Sequence, residues 1–395
     1  MIRAYKFLLR PTSKQVTALE AYLEDCRELY NAALEERREA WKKCKVSISY
    51  GRQAAQLTEI RKDDPNGQGR WSCGSQQQTL RRLDKAFADF FRRVKAGAEK
   101  VGYPRFKGIG RFNTIECPAQ KCGARWDSVP HPTVTRVHFV GIGHVRVHQH
   151  RAVKGRIKTI SIKREVGRWY VILVCDDVPA EPLPATGAVV GIDMGVRHLL
   201  ATSDGAHVVN PRPRAAAADR LADAQRSLAR KKRGSRRRRK AVLKVAGIHQ
   251  KMRRSRLDHA HKTSLALVRD HDVIVHEDLL IENMKRRPQP RLTGDGTYAP
   301  NGAAAKAGLN ESIHDAGWGM FLRVLAAKAE WAGRTTIAVN AAYTSQTCTR
   351  CGHCEDKNRK DEKFRCLRCG HEAHADVNAA VNILRSGLVL QAQAA

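Results

Sequence analysis

The chain has 395 residues, with 72 Lys plus Arg against 39 Asp plus Glu, a formal net charge of +33. That length allows about two to four domains and at least one large core, and 42% apolar residues exclude a disordered chain. Such a charge opposes compaction unless a polyanion neutralises it, so nucleic acid is the expected partner. No membrane is expected, because no run reaches the ~18 apolar residues of a span.

The start, MIRAYKFLLRPTSKQ, is too polar for a signal peptide. Arg3 to Arg10 reads as a strand stopped by Pro11. Residues 14–38 follow a helix period, with Val16, Leu19, Leu23, Cys26, Tyr30, Ala33 and Leu34 on one face. Pro65, Asn66, Gly67 and Gly69 mark a loop. A second helix fits 76–96, with Leu80, Leu83, Phe87, Phe90 or Phe91, and Val94 inward, and Arg81, Arg82, Lys85, Arg92 and Arg93 outward. Residues 11–100 thus read as a helical domain with a basic surface.

From Gly102 the texture turns to strand. Residues 133–149, 156–165 and 168–176 alternate apolar and polar side chains or run apolar on both faces, so Arg168 to Cys175 is expected to be a central strand. Residues 1–10 and 101–180 are expected to form a small β-barrel or sheet with the helices inserted. The Pro-rich 181–187 reads as a linker.

A third texture begins at Ala188. AVVGIDMG is a buried strand, followed by two short antiparallel strands around Asp204-Gly205. Residues 212–256 hold 18 Lys plus Arg and two acids. Their peak, RKKRGSRRRRK at 230–240, sits in an expected basic helical hairpin carrying Leu221, Leu228, Val242 and Leu243; the alternative is a disordered basic linker. HDVIVHEDL is another strand, 286–308 a loose loop or lid, 311–332 one strong helix stopped by Gly333, RTTIAVN a strand, and 376–385 a last helix.

Three acids stand out. Asp193 and Glu277 end apolar strands, and Asp376 precedes the last helix. A carboxylate at the end of a buried strand is costly unless neutralised, and a cation does this. Carboxylate oxygens suit Mg²⁺ or Mn²⁺, and two such ions about 4 Å apart can hydrolyse a phosphodiester. Any one of the three is as well explained as a cap, a turn or an ion-pair partner, and Asp204, Asp278 and Glu282 compete nearby.

The chain has 11 Cys, five of them between Cys348 and Cys369. Cys348-x2-Cys351 and Cys366-x2-Cys369, each followed by Gly, supply four thiolates at the spacing of a structural zinc ribbon in a reducing compartment. Cys354 is spare, and His353, His371 and His374 leave a Cys₃His set as a minority alternative. Arg350, Lys357 and Arg368 are the ribbon's expected basic display. Cys117-x4-Cys122 is a weak second candidate. No phosphate-binding glycine motif is present.

GIDMGVRHLLATSDG at 191–205, VIVHEDLLIENM at 273–284, AYTSQTCTRCG at 342–352 and CLRCGHEAHADVNAAVNIL at 366–384 closely resemble TnpB/OrfB proteins, transposon-encoded relatives of type V CRISPR effectors. The likeness extends to 13–41, 102–108 and 311–333. It implies a multidomain α+β chain: a wedge β-barrel (1–10 and 101–180) with an inserted helical recognition domain (11–100), then a split RuvC nuclease domain of ribonuclease-H-like fold (188–340 and 374–395, with a basic insertion at 212–269) and a zinc ribbon (341–373). On this pattern Asp193, Glu277 and Asp376 are the catalytic acids holding Mg²⁺, and Cys348, Cys351, Cys366 and Cys369 hold one Zn²⁺.

The expected partners are a guide RNA and the double-stranded DNA it selects, on a monomer or a homodimer, in the prokaryotic cytoplasm at the nucleoid. Arg81, Arg82, Arg92, Arg93, Arg105, Lys107, Arg236, Arg237, Arg238 and Arg239 are candidates for nucleic-acid contacts. One departure is His374-Ala375 where many members carry Asp-Arg; the last acid, Asp376, is retained. A small CRISPR-associated effector, or an RNA-guided repressor that does not cut, are the alternatives.

Overall fold

A computed structural model describes residues 1–120, 122–127, 129, 131, 133–340 and 342–394, so the expected first residue of the ribbon, 341, lies outside the described residues. The chain divides into two units, Met1–Pro179 and Ala180–Ala395.

In the first unit, strand β1 (Arg3–Arg10) is followed by helices α1 (Ser13–Cys44), α2 (Tyr50–Asp63) and α3 (Cys73–Lys95). Strands β2 (Thr114–Cys117), β3 (Ala124–Trp126), β4 (Arg136–Phe139), β5 (Gly143–His148), β6 (Arg156–Glu165) and β7 (Arg168–Asp176) complete it. The strands form one antiparallel ladder in the order β2-β6-β7-β1-β5-β4-β3, with β7 between β6 and β1 as its two-faced apolar pattern requires. A capping box starts α1: the Thr12 hydroxyl accepts from Gln15 N–H, and the Gln15 side chain accepts from Thr12 N–H. The helices and the sheet share one core, in which Leu19, Tyr30 and Leu34 join Phe7, Ile115 and Val171. Tyr22 and Trp71 stack within it, ring centroids 4.2 Å apart.

The sequence reading missed α2. It buries only Gln53 and Leu57, so it has no apolar stripe to detect. A polar contact holds it instead, Arg37 Nε donating to Gln53 Oε1 at 2.9 Å. The expected inward face of α3 is also corrected: Phe91 and Val94 are exposed.

The second unit opens with the expected linker pinned in place: Leu183 N–H donates to Ala332 O, and Thr186 and Gly187 N–H donate to the Asp272 carboxylate. Strands β8 (Val189–Met194), β9 (His198–Thr202) and β10 (His207–Val209) precede helices α4 (Ala218–Ala229) and α5 (Arg236–Asp270). Then come β11 (Val273–Glu277), α6 (Ile281–Met284), α7 (Ala303–Ala316), α8 (Trp318–Ala332) and β12 (Thr335–Val339). Short strands β13 (Arg359–Lys360), β14 (Lys363–Arg365) and β15 (Glu372–His374) lead into α9 (Ala375–Ala394).

The main sheet runs β10-β9-β8-β11-β12. β8, β11 and β12 are parallel, and β9 and β10 are antiparallel to their neighbours. The basic run is helical from Arg236 rather than a disordered linker. Its hairpin with α4 closes over Leu221, Ala224, Ile248 and Met252, while the expected Val242 and Leu243 are exposed. The single helix expected over 311–332 is two, broken at Gly317 (φ 74°), and the first begins at Ala303, inside the expected loop. The last helix outruns its expected end at 385.

Helix α9 lies close on the sheet because two glycines let it. A Cβ added at Gly191 would stand 2.1 Å from Ala380 O, and one at Gly387 would stand 2.3 Å from Val275 Cγ1. Gly191→Ala must therefore push strand and helix apart. We expect it to destabilise the unit by ~1–3 kcal/mol, read as a fall in thermal midpoint of about 2–4 °C per kcal/mol.

Candidate active site and metal centre

Parallel pairing of β8 with β11 sets His276 beside Ile192, which brings Asp193 and Glu277 to neighbouring strand ends. Asp376 joins them from the first turn of α9, which packs on both strands. The three carboxylates line one cavity of about 1080 Å³, together with Trp318, Thr344 and Arg359. Asp204, Asp278 and Glu282 do not line it. Asp204 closes the β9–β10 turn by accepting from Ala206 N–H, and Glu282 pairs with Lys285 on the surface.

Burial pushes the Asp193 carboxyl up to about 7, and the charges of Glu277 and Asp376 add to it; Arg359 offsets part of this. Burial also raises Glu277, against the Thr344 hydroxyl and Arg359. Thr344 Oγ1 donates to Glu277 Oε1 at 2.9 Å in a buried contact, and Arg359 Nη2 donates to Asp376 Oδ1 at 2.9 Å. Several carboxylates sharing a desolvated cleft are the oxygen-donor set that a hard divalent cation relieves, so Asp193, Glu277 and Asp376 fit Mg²⁺ or Mn²⁺.

The sequence reading missed Arg359 and Thr344. The ribbon's basic display was expected from Arg350, Lys357 and Arg368. The one that reaches the acids is Arg359, on β13. No local signal separates it from its neighbours.

In the ribbon, Cys348 Sγ lies 3.7 Å from Cys369 Sγ, and Cys351 Sγ lies 3.6 Å from Cys366 Sγ. Among the described residues, these four form the set of His, Cys, Asp or Glu whose ligand atoms all lie within 4.8 Å of one another. A tetrahedral ion with Zn–S of about 2.3 Å spaces its sulfurs about 3.7 Å apart, close to the two separations above, so the four thiols fit Zn²⁺. Cys354 stays outside the set and exposed. Backbone N–H groups reinforce the knuckles, as Arg350 N–H donates to Cys348 Sγ.

The basic candidates separate by their partners. Arg105, Arg236, Arg237 and Arg239 are exposed. Arg81 donates to Tyr50 Oη at 3.2 Å, Arg82 covers the Phe112 ring, and Arg92 pairs with Asp89. Lys107 lies over Tyr30, and burial, aided by Arg82, lowers its pKa. Two are committed to backbone carbonyls: Arg93 to Val101 and Gly102, and Arg238 to Leu228 and Lys231 beyond α4. Among the described residues, no helix is long and apolar enough to cross a membrane.

A family profile described as "Probable transposase" (OrfB_IS605) matches residues 165–287, one described as "Cas12f1-like, TNB domain" matches 318–383, and one described as "Helix-turn-helix domain" matches 1–45. In the structure that last stretch is one strand and one unbroken helix. A protein of Escherichia coli (strain K12) named "Putative RNA-guided DNA endonuclease InsQ" is 33% identical over 98% of this chain and 92% of its own. A Streptomyces pristinaespiralis protein named "Putative RNA-guided DNA endonuclease" is also 33% identical, over 99% and 90%.

Among solved structures, a Cas12f1–sgRNA–target DNA complex superposes with a TM-score of 0.53 at 15% identity, covering 94% of this chain and 82% of that one. The mini-RNA-guided endonuclease CRISPR-Cas_phi3 gives 0.51 at 12%, covering 98% and 92%. The fold is thus a mixed α and β fold of the Cas12 type. The chain belongs to the TnpB/OrfB family, as its motifs imply.

Proposed function

We propose that this protein is an RNA-guided endonuclease that cuts double-stranded DNA at the Asp193, Glu277 and Asp376 cleft. The observation that carries the reading is the meeting of these three acids, from chain positions far apart, in one desolvated cavity. The sheet order β10-β9-β8-β11-β12, with acids at the ends of β8 and β11, supports a ribonuclease-H-like RuvC domain over 188–340 and 374–395. The same reading assigns 1–10 and 101–180 to the wedge, 11–100 to guide and target recognition, 212–269 to a basic insertion and 341–373 to the ribbon. Relatives named as RNA-guided DNA endonucleases along almost the whole chain support it.

Magnesium held by the three acids would supply an activated water and a counter-charge for the leaving oxygen. Around it, Thr344 fixes the Glu277 carboxylate by its hydroxyl, and Arg359 holds Asp376 and adds positive charge where a scissile phosphate must sit. The net charge of +33 supplies backbone attraction for RNA and DNA, so binding should fall steeply with salt. Exposed Arg105, Arg236, Arg237 and Arg239 remain the best placed of the basic candidates for that role.

The test is to purify the protein from cells carrying its gene and flanking DNA, and to sequence the RNA it holds. A discrete RNA is expected, whose guide segment selects the DNA that the complex cuts in Mg²⁺. The source of that RNA separates a transposon-borne nuclease from a CRISPR-associated one. Target binding that leaves the DNA whole would make the protein a repressor instead, and no bound RNA would end the reading.

A further inference from the structure

Residues 101–107 run as an irregular segment, pinned at both ends. Arg93 donates to the Val101 and Gly102 carbonyls at one end. At the other, Asn31 Nδ2 donates to Lys107 O at 3.0 Å, and Lys107 N–H donates to Asn31 Oδ1 at 2.8 Å. Between the anchors, Tyr103 meets the rings of Phe87 and Phe90 edge to face, at centroid distances of 5.6 and 5.2 Å. These contacts fix the direction of its ring, yet Tyr103 is 45% exposed and Phe106 46%. The two rings line a cavity of about 330 Å³ together with buried Leu34, Pro104, Arg38 and Arg105. No carboxylate lines it, and among the described residues neither of these arginines makes an ion pair.

Held aromatic rings beside two unpaired guanidiniums match one ligand chemistry, a planar base to stack and a phosphate to neutralise. The cavity is at the small end of ligand pockets, which span about 300–1,000 Å³, so it suits a single nucleotide. We infer that residues 103–106 and α1 form a pocket for one unpaired nucleotide of the guide RNA, its base against Tyr103 and Phe106 and its phosphate on Arg38 and Arg105. This assignment rests on the RNA-guided reading above. RNA is the source rather than target DNA because a folded RNA presents splayed bases in its loops and bulges, whereas duplex DNA keeps its bases stacked and paired. The pocket belongs to the first unit and the three acids to the second, so its loss is read in the holding of RNA.

The experiment uses full-length protein freed of nucleic acid and three short labelled probes of one mixed sequence: single-stranded RNA, single-stranded DNA and duplex RNA. Tyr103→Ala is expected to weaken binding of the single-stranded RNA about 5- to 150-fold, to leave the duplex unchanged, and to keep the wild-type dependence on salt. Tyr103→Phe, which retains the ring, should bind as wild type does. Arg38→Gln should instead flatten the slope of log K against log salt by about 0.7, the loss of one phosphate contact. Phe106→Ala repeats the measurement should Tyr103→Ala fold poorly. Ultraviolet cross-linking of the complex purified from cells, followed by mass spectrometry, should place a ribonucleotide on Tyr103 or Phe106. A deoxyribonucleotide there would overturn the RNA assignment in favour of DNA. Folded Tyr103→Ala and Phe106→Ala that bind single-stranded RNA as wild type does overturn the pocket and leave the guide reading standing. A wild type that binds no RNA probe and carries no RNA from cells ends both.

Discussion

Replacing Asp193 by Asn is expected to abolish DNA cleavage and, in the same protein, to raise its stability. The loss should reach at least about 1,000-fold, the scale on which catalytic groups acting as a unit fail. The gain follows from the proton balance. The Asp193 carboxyl sits at about 7 in the fold, against an ordinary 3.8, because burial and two neighbouring carboxylates disfavour its charge. A raised carboxyl binds its proton more tightly when folded than when unfolded. Its contribution is therefore greatest below the ordinary value and is lost as pH rises towards 7. Three pH units correspond to about 4 kcal/mol.

Metal-free protein should thus lose stability between pH 4 and pH 7 and regain part of it when Mg²⁺ is added. Asn carries no charge to be repelled. In magnesium-free buffer at pH 8 the variant's midpoint should lie several degrees above wild type, and the gap should close at pH 4. Thermal melts at the two pH values, with and without Mg²⁺, check both halves. A variant no more stable than wild type at pH 8 would show that the carboxylates are not crowded.

Cys366→Ser should have an effect of similar size by another route. Zinc binding supplies on the order of 10 kcal/mol of folding free energy to small ribbons, and β13 to β15 have little core of their own, chiefly Phe364, Cys348, Cys366 and Ala375. Loss of one thiolate is expected to release the zinc and unfold 344–374, withdrawing Arg359 from Asp376 and Thr344 from Glu277. The main sheet, with its own core, should persist. Zinc content should fall, protease should cut between the two knuckles, and cleavage of DNA should fail while circular dichroism keeps most of its helix signal. Full activity in a zinc-free variant would show that Arg359 and Thr344 reach the acids without the ribbon's help.

Asp193 and Glu277 were legible because each closes an apolar strand run, whereas Asp376 follows a polar stretch and was assigned through the family resemblance. Val189 to Ile192 and Val273 to Val275 are apolar without a break, and a carboxylate at the end of such a run demands an explanation. The cysteines were legible because their covalent spacing nearly determines the geometry. Arg359 was not. In a chain with 72 basic residues, one arginine reaching an acid through tertiary folding leaves no local trace. Thr344 was hidden for the same reason.

Helix α2 escaped because polar contacts hold it where an apolar stripe would have announced it. The break at Gly317 escaped because Ile313, Phe321 and Leu325 keep a helical period across it. A periodicity reports which residues face inward, and it does not report a change of axis between them.

The acids stand at positions 193, 277 and 376, and the last arrives on the helix that must seat against the first strand of the sheet. On a ribosome adding about 5–20 residues per second, the first acid waits on the order of 10–40 s for the third. On the proposed reading, a half-made chain carries early basic segments but only two of the three acids. Cutting would then wait for the completed chain.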